Sequence, residues 1–218
     1  MNIENARFNM IEQQIRPWDV LDLDVLGLLS IVKRENYVPA QYRDLAFADL
    51  ELPLPGGASK MLFPRVEARV LQELAVKKHE NVLVIGAGSG YLAALFAHRA
   101  QHVTAVEIDP AIAKFAEDNL RNDGVTNAEV VLGDGSRGWA AKAPYDVICV
   151  AGGLPVVPQD MLEQLKVGGR LAAFVGGRPV MKAQIITRID DKQYRVADVF
   201  ETYIDHLVNA IEPSRFKF

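Results

Sequence analysis

The run "VIGAGSGYLAALFAHRAQHVTAVEIDP", Val84 to Pro110, sets three glycines, Gly86, Gly88 and Gly90, directly after an apolar stretch. A carboxylate, Glu107, follows 21 positions beyond the first of them (107 − 86). Glycines in such a turn let a ligand approach the main chain without meeting a Cβ. A carboxylate at about 20 residues from the first glycine reaches the hydroxyls of a ribose. The chemistry on offer is therefore the holding of an adenosyl-type cofactor. A further segment, "LGDGSRGW", places Asp134 and Gly135 where an aspartate can accept a hydrogen bond from an adenine amino group. The alternative role for such an aspartate is to satisfy the backbone of its own turn.

The spacing narrows the cofactor. The dinucleotide fingerprint G-x-G-x-x-G uses its third glycine for close packing of helix on strand, and here that place is taken by Tyr91. A phosphate-cradling loop would end in Gly-Lys-Ser/Thr, which does not follow this turn. The combination points to S-adenosylmethionine, with Gly86, Ala87, Gly88, Gly90, Glu107, Ile108, Asp134 and Gly135 around it. No Ser/His/Asp set is visible, and the four histidines, His79, His98, His102 and His206, lack ligand spacing, so no metal is expected. The single cysteine, Cys149, lies in the apolar run "YDVICVA" and reads as a core residue.

These residues need a scaffold. From Val82 onward, apolar runs at Val82–Ile85, Val103–Val106, Ala128–Leu132, Val147–Val150 and Leu171–Val175 alternate with helical stretches at Tyr91–Ala100, Ala111–Arg121 and Gln159–Leu165. Such alternation predicts a doubly wound, mostly parallel α/β sheet covered on both faces. "AQIITRID" and "YRVADVFETYI" around the polar "DDKQ" predict a C-terminal antiparallel hairpin. Residues 1–79 differ in texture and read as a helical elaboration on a core at 80–218, the whole forming one folding unit. Phe8, Ile11 and Ile15 give one apolar stripe, and Pro17 is expected to end that helix. Asp22 or Asp19 would cap a second helix presenting Val25, Leu28, Leu29 and Val32 inward. The stretch from Tyr37 to Pro64 reads as irregular loop. A third helix follows, carrying Val66, Val70 and Leu74.

At this point the sequence resembles the protein-L-isoaspartate O-methyltransferases. "MIEQQIR" is similar to that family's opening helix, and "VKRENYVPAQYRDLAFADLELPL" to its Val-Pro-Arg-His region. "VIGAGSGY" is similar to its Glu-Ile-Gly-Thr-Gly-Ser-Gly-Tyr motif, and "GDGSRGW" with "APYDVI" to its Gly-Asp-Gly-x-x-Gly-Trp and Ala-Pro-Phe/Tyr-Asp signature. The resemblance implies a Rossmann-like methyltransferase fold. It also implies methyl transfer to the free carboxylate of an isoaspartyl residue in a damaged protein, the ester then collapsing to a succinimide. A carboxylate is ionised at neutral pH, so alignment and exclusion of water suffice, with no general base.

Two departures stand out. The family's Gly-Gln-Thr-Ile-Ser loop is replaced by "PLPGGASKMLFP", and its first-motif glutamate by Val84. Ser59 and Lys60 are the candidates for catalytic roles, Lys60 as a charge for an acidic acceptor. Met61 and Leu62 are expected against the cofactor, the loop capping the methyl donor and the N-terminal region closing over it. Two other readings stay open: a methyltransferase with a different acceptor, or a non-catalytic protein that binds S-adenosylmethionine.

Bulk properties fit this picture. The 218 residues are half hydrophobic with a net charge of −4, which provides no basic field for nucleic acid or anionic lipid. No apolar run approaches the roughly 20 residues of a membrane span, and "MNIENARFNMIEQQ" lacks a signal peptide's apolar stretch. A cytoplasmic protein is expected.

Overall fold

The structure is a computed structural model that describes residues 2–212. Five strands run parallel: β1 (Asn81–Ile85), β2 (His102–Glu107), β3 (Ala128–Leu132), β4 (Tyr145–Leu154) and β5 (Leu165–Gly177). They are followed by the antiparallel β6 (Val180–Arg188) and β7 (Tyr194–Thr202), in the order β3-β2-β1-β4-β5-β6-β7. The expected doubly wound sheet and C-terminal hairpin are both present. Helices α4 (Tyr91–Ala97), α5 (Pro110–Asn122) and α6 (Gln159–Glu163) make the crossovers that parallel pairing requires. Period-two alternation divides the strand side chains between two cores. Val82, Val84, Val147 and Cys149 face one side, and Leu83, Ile85, Ile148 and Val150 the other.

The chain leaves β1 for β2 and β3 on one flank and returns to β4 and β5 on the other. The crevice at the carboxyl ends of β1 and β4 is the topological switch point, where open α/β sheets take ligands.

The N-terminal region contributes α1 (Ile3–Met10), α2 (Leu23–Ile31) and α3 (Pro64–Leu74). Asp22, not Asp19, caps α2, its Oδ1 accepting from Asp24 N at 2.8 Å and Val25 N at 3.2 Å. Two expectations fail here. Pro17 does not stop the first helix, which continues through a π turn (Ile11–Ile15) into a 3-10 turn (Arg16–Trp18) that accommodates the proline. Phe8 is 62% exposed and is not part of the stripe. The buried set is Arg7, Met10, Ile11 and Ile15, because Arg7 is drawn inward by Glu35 and lies over the Phe47 ring at 5.7 Å. Phe8, one residue or about 100° further round the helix, is thereby turned to solvent.

The stretch read as irregular is more ordered than expected. It holds a 3-10 turn (Ala40–Leu45) and a folded arm from Leu52 to Met61, closed by Met61 N donating to Leu52 O at 2.8 Å and Leu54 N to Ser59 O at 2.9 Å. Gly56 and Gly57 form its tip with φ of +84° and +74°.

The tight corner after β1 depends on Gly90. Its φ is +84°, and a Cβ there would lie 3.0 Å from Ala116 O and 3.3 Å from Leu120 Cγ on α5. Close packing thus falls on Gly90 while Tyr91 is free to be large. Gly90→Ala is expected to lower the unfolding free energy by about 1–3 kcal/mol, read as a lower denaturant midpoint at unchanged slope.

Candidate active site

The glycine turn is held in a ligand-ready shape by β2. Gly86, Gly88 and Gly90 have φ of +84°, +56° and +84°, a region that residues bearing a Cβ seldom occupy. Gly86 N and Ala87 N both donate to Val106 O, at 2.9 and 3.1 Å. Glu107 closes β2 and is only 8% exposed. Its Oε2 accepts from Gly88 N at 3.0 Å, and its Oε1 from Ile108 N at 3.0 Å and Asp109 N at 3.2 Å. One carboxylate therefore fastens the turn to the strand end through charge-assisted bonds while still bordering a cavity of about 220 Å³.

On one side this cavity continues past Ile108 to Asp134, Gly135 and Ser136. Gly135 sits where a Cβ would come 2.7 Å from Ile85 Cγ2, so the turn lies directly on β1. Asp134 is exposed, and both of its oxygens are engaged. Oδ1 accepts from Ser136 N at 2.9 Å and Oδ2 from Asn209 Nδ2 at 2.9 Å. The Ser136 N–H, more than the Asn209 amide, holds its carboxyl below the usual range. The turn-satisfying role weighed in the sequence is thus present, and an adenine amino group would compete with Asn209 for Oδ2.

On the acceptor side the folded arm supplies Ser59, Lys60 and Leu62 to the cavity wall, and Met61 to the lobe beside Ala87. Met61 and Leu62 are buried, while Ser59 and Lys60 are exposed. The segment from Glu51 to Leu62 is what borders the cavity from the N-terminal region, so closure comes from this arm, not from α1 or α2. Lys60 is not a free cation. Its Nζ lies 3.3 Å from Asp205 Oδ2 and 3.7 Å from Glu51 Oε2, and the hydrogen bond to Asp205 leads in raising its pKa. Burial in turn pushes the Glu51 carboxyl up, against the pull of Lys60.

The opposite wall is a strap that sequence reasoning did not find. After β7 the chain crosses the carboxyl edge, with Gly153 N donating to Asp205 O at 2.8 Å and Leu207 N to Gly153 O at 2.9 Å. Gly152 and Gly153 permit this. A Cβ on Gly152 would lie 2.5 Å from Leu207 Cδ2, and one on Gly153 2.5 Å from Ile204 O. The "AGGL" after a buried strand was the available signal for a close backbone approach. Among the described residues no group of three or more His, Cys, Asp or Glu is placed to hold a metal. No described helix is long and apolar enough to cross a membrane.

A parallel sheet with a glycine turn, a strand-end carboxylate and a cavity at the switch point defines a Rossmann-like, adenosyl-cofactor methyltransferase. Comparison with known proteins makes this specific. The model of the protein-L-isoaspartate(D-aspartate) O-methyltransferase family matches residues 5–208. A protein-L-isoaspartate O-methyltransferase of Methanoculleus marisnigri is 39% identical over 193 residues, covering 88% of this chain and 86% of its own. One from Rhodopseudomonas palustris is 44% identical over 170 residues, covering 78% and 69%. Among solved structures, a protein-L-isoaspartate O-methyltransferase superposes with TM-score 0.80 at 25% identity, covering 94% of this chain and 67% of that one. A Plasmodium falciparum structure in complex with S-adenosyl-L-homocysteine gives TM-score 0.79 at 16% identity, covering 95% and 99%, and shows a shared fold. The chain belongs to the protein-L-isoaspartate(D-aspartate) O-methyltransferase family and is an S-adenosylmethionine-dependent enzyme of that family.

The Glu107 geometry has a consequence without any ligand. Glu107→Ala strands three backbone N–H groups, so the ligand-free protein is expected to lose about 1–3 kcal/mol of stability. An unchanged denaturation midpoint would show that the carboxylate does not fasten the turn.

Proposed function

We propose that this chain methylates the free carboxylate of isoaspartyl residues in proteins, with cofactor and acceptor meeting between the folded arm and the strap. The observation that carries the reading is the convergence of the glycine turn, Glu107, the Asp134 turn and Lys60 on one cavity system at the β1/β4 crevice. The residues fit the cofactor. A backbone shaped by positive φ at Gly86 and Gly88 leaves the floor free of side chains, and the elongated hollow suits an adenosyl group joined to an amino acid. S-adenosylmethionine supplies the electrophilic methyl group. In this reading Glu107 accepts from a ribose hydroxyl, since a carboxylate has about four lone-pair sites and the backbone takes three. Ile108 lies along the base, Asp134 and Gly135 border its edge, and Ala87, Met61 and Leu62 line the lobe beyond Gly86, while Gly90, expected at the cofactor, packs against α5 instead.

The acceptor side needs no proton-transfer group. Lys60 attracts the incoming carboxylate, while Asp205 and Glu51 hold it until that carboxylate arrives. Ser59 offers a hydroxyl beside it. The substrate anion thus exchanges with Asp205 as the partner of Lys60.

The direct test is methyl transfer from labelled S-adenosylmethionine to an isoaspartyl peptide beside its normal-aspartyl twin. Transfer to the first alone is expected, and no transfer to either, with the cofactor demonstrably bound, would leave the acceptor elsewhere. Lys60→Ala is expected to raise KM about two- to fivefold at low salt, with kcat less affected, because an exposed pair contributes modestly and is screened. Asp205→Asn should lower KM by removing the competing anion. A separate expectation concerns the base. Asn209→Ala frees Asp134 Oδ2 and should tighten binding of adenosyl ligands but not of inosyl analogues, measured by titration. Equal changes for both would mean that Asp134 serves only its turn.

A further inference from the structure

The cavity system has two ends that meet at Gly86. One runs along Glu107 to Asp134, and the other along Ala87 and Leu92 to Glu67. With the adenosyl group beside Glu107 and Asp134, as proposed above, the amino-acid end of the methyl donor runs toward Glu67. That end carries the sulfonium and an α-amino-acid group whose ammonium and carboxylate cancel, so the sulfonium makes it net positive.

Glu67 is an unusual wall for a cavity. It lies in the first turn of α3 and is 3% exposed. Among the described residues its hydrogen-bond partner is Arg34, whose Nε donates at 3.4 Å. That is long for a bond between charged groups, ordinarily about 2.7–2.9 Å. Arg34 is shared: its other two nitrogens donate to Ala46 O and Leu62 O, each at 3.0 Å. The carboxylate is buried and weakly bonded, and it opens on the lobe that contains Gly86, Ala87, Gly88 and Leu62. Burial pushes its carboxyl up to about 7, with the Arg34 guanidinium pulling the other way. One guanidinium therefore leaves this acid only partly ionised at neutral pH. The other titratable groups around it add no cation. Tyr91 and Cys149 are held protonated by burial, and Lys60, on the same lobe, is already taken by Asp205 and Glu51. Position 84 on β1, where the family motif carries Glu, is Val in this chain. Val84 pairs in register with Cys149, and both face the core into which α3 packs Val66, Val70 and Leu74.

We infer that Glu67 is a further cofactor-binding residue. From α3 it supplies the negative charge that faces the cationic end of S-adenosylmethionine, so that it contributes more to binding of the donor than of S-adenosyl-L-homocysteine, which has lost the sulfonium charge. This rests on the methyl-donor reading of the cavity. An approaching cation completes what Arg34 leaves partial, and the bound donor in turn keeps the buried acid ionised.

Calorimetric titration of the purified protein with each of the two ligands tests this. Glu67→Gln keeps the side chain's size and a hydrogen-bonding oxygen for Arg34 while removing the charge. It is expected to weaken S-adenosylmethionine about fivefold or more and S-adenosyl-L-homocysteine less than twofold. The same protein without substitution gives an independent readout at pH 6.5, below the titration of an α-amino group at about 7.7–8.0. In buffers of different ionisation enthalpy, donor binding should release a fraction of a proton as Glu67 ionises, and product binding should release less. Equal weakening of the two ligands by Glu67→Gln, or equal proton release by the two in the unsubstituted protein, overturns the assignment. Failure of both ligands to bind the unsubstituted protein would instead remove the methyl-donor reading itself.

Discussion

One buried guanidinium ties together the parts on which the site depends. Arg34 is 1% exposed and lies 5.7 Å from the centre of the Tyr91 ring. Its three nitrogens reach α3 through Glu67, the loop ahead of α3 through Leu62 O, and the N-terminal connection through Ala46 O. Burying such a charge is costly, and removing one partner of a buried pair typically costs about 3–5 kcal/mol. The compensation here is geometric. Leu62 is the end of the arm that carries Lys60, and Tyr91 opens the helix that follows the glycine turn. The arm and the helix after the glycine turn are positioned against each other by this one side chain.

A second constraint is the carboxyl edge of the sheet, where the N–H groups of the turns leaving the strands need acceptors. The chain resolves this with carboxylates. Glu107 collects three N–H groups, Asp134 caps its own turn, and Asp109 caps α5 by accepting from Ala111 N at 2.7 Å and Ile112 N at 3.2 Å. Acids that serve the backbone are thereby preset in position, Glu107 and Asp134 on the cavity wall. Preorganisation of this kind suits a reaction between an ionised nucleophile and an activated methyl group, in which alignment and exclusion of water carry the catalysis.

The strap and the arm close the crevice from opposite sides, and their contact is electrostatic. Lys60 on the arm and Asp205 on the strap are 145 residues apart in sequence. The strap is laid on Gly152 and Gly153 without room for a Cβ, so its main chain is fixed while the Lys60–Asp205 pair at the rim stays exposed and exchangeable. A firm base with a loose charged rim fits a site that must admit a protein-borne carboxylate.

How much of this was legible in the sequence follows the range of the interactions. The glycine turn, the strand-end Glu107 and the alternation of strands with helices arise from neighbours within about twenty residues, and all are present as read. Local pattern misled where a distant partner intervened. Phe8 matched the helical stripe, but Arg7 faces inward because Glu35 waits 28 residues away. Lys60 read as a cation for an acidic acceptor, and its pairing with Asp205 was not legible along the chain. Along α3 the helical spacing picks out only Val66, Val70 and Leu74, and only the meeting of α3 with the sheet buries Glu67 beside Arg34. The sequence by itself determined the class of fold and the glycine turn after β1, because backbone sterics and hydrophobic periodicity act locally. Tertiary structure alone decided that Lys60 meets Asp205 at the rim and that Glu67 is buried beside Arg34, because Coulomb interactions and desolvation depend on distance and burial in space, not on spacing along the chain.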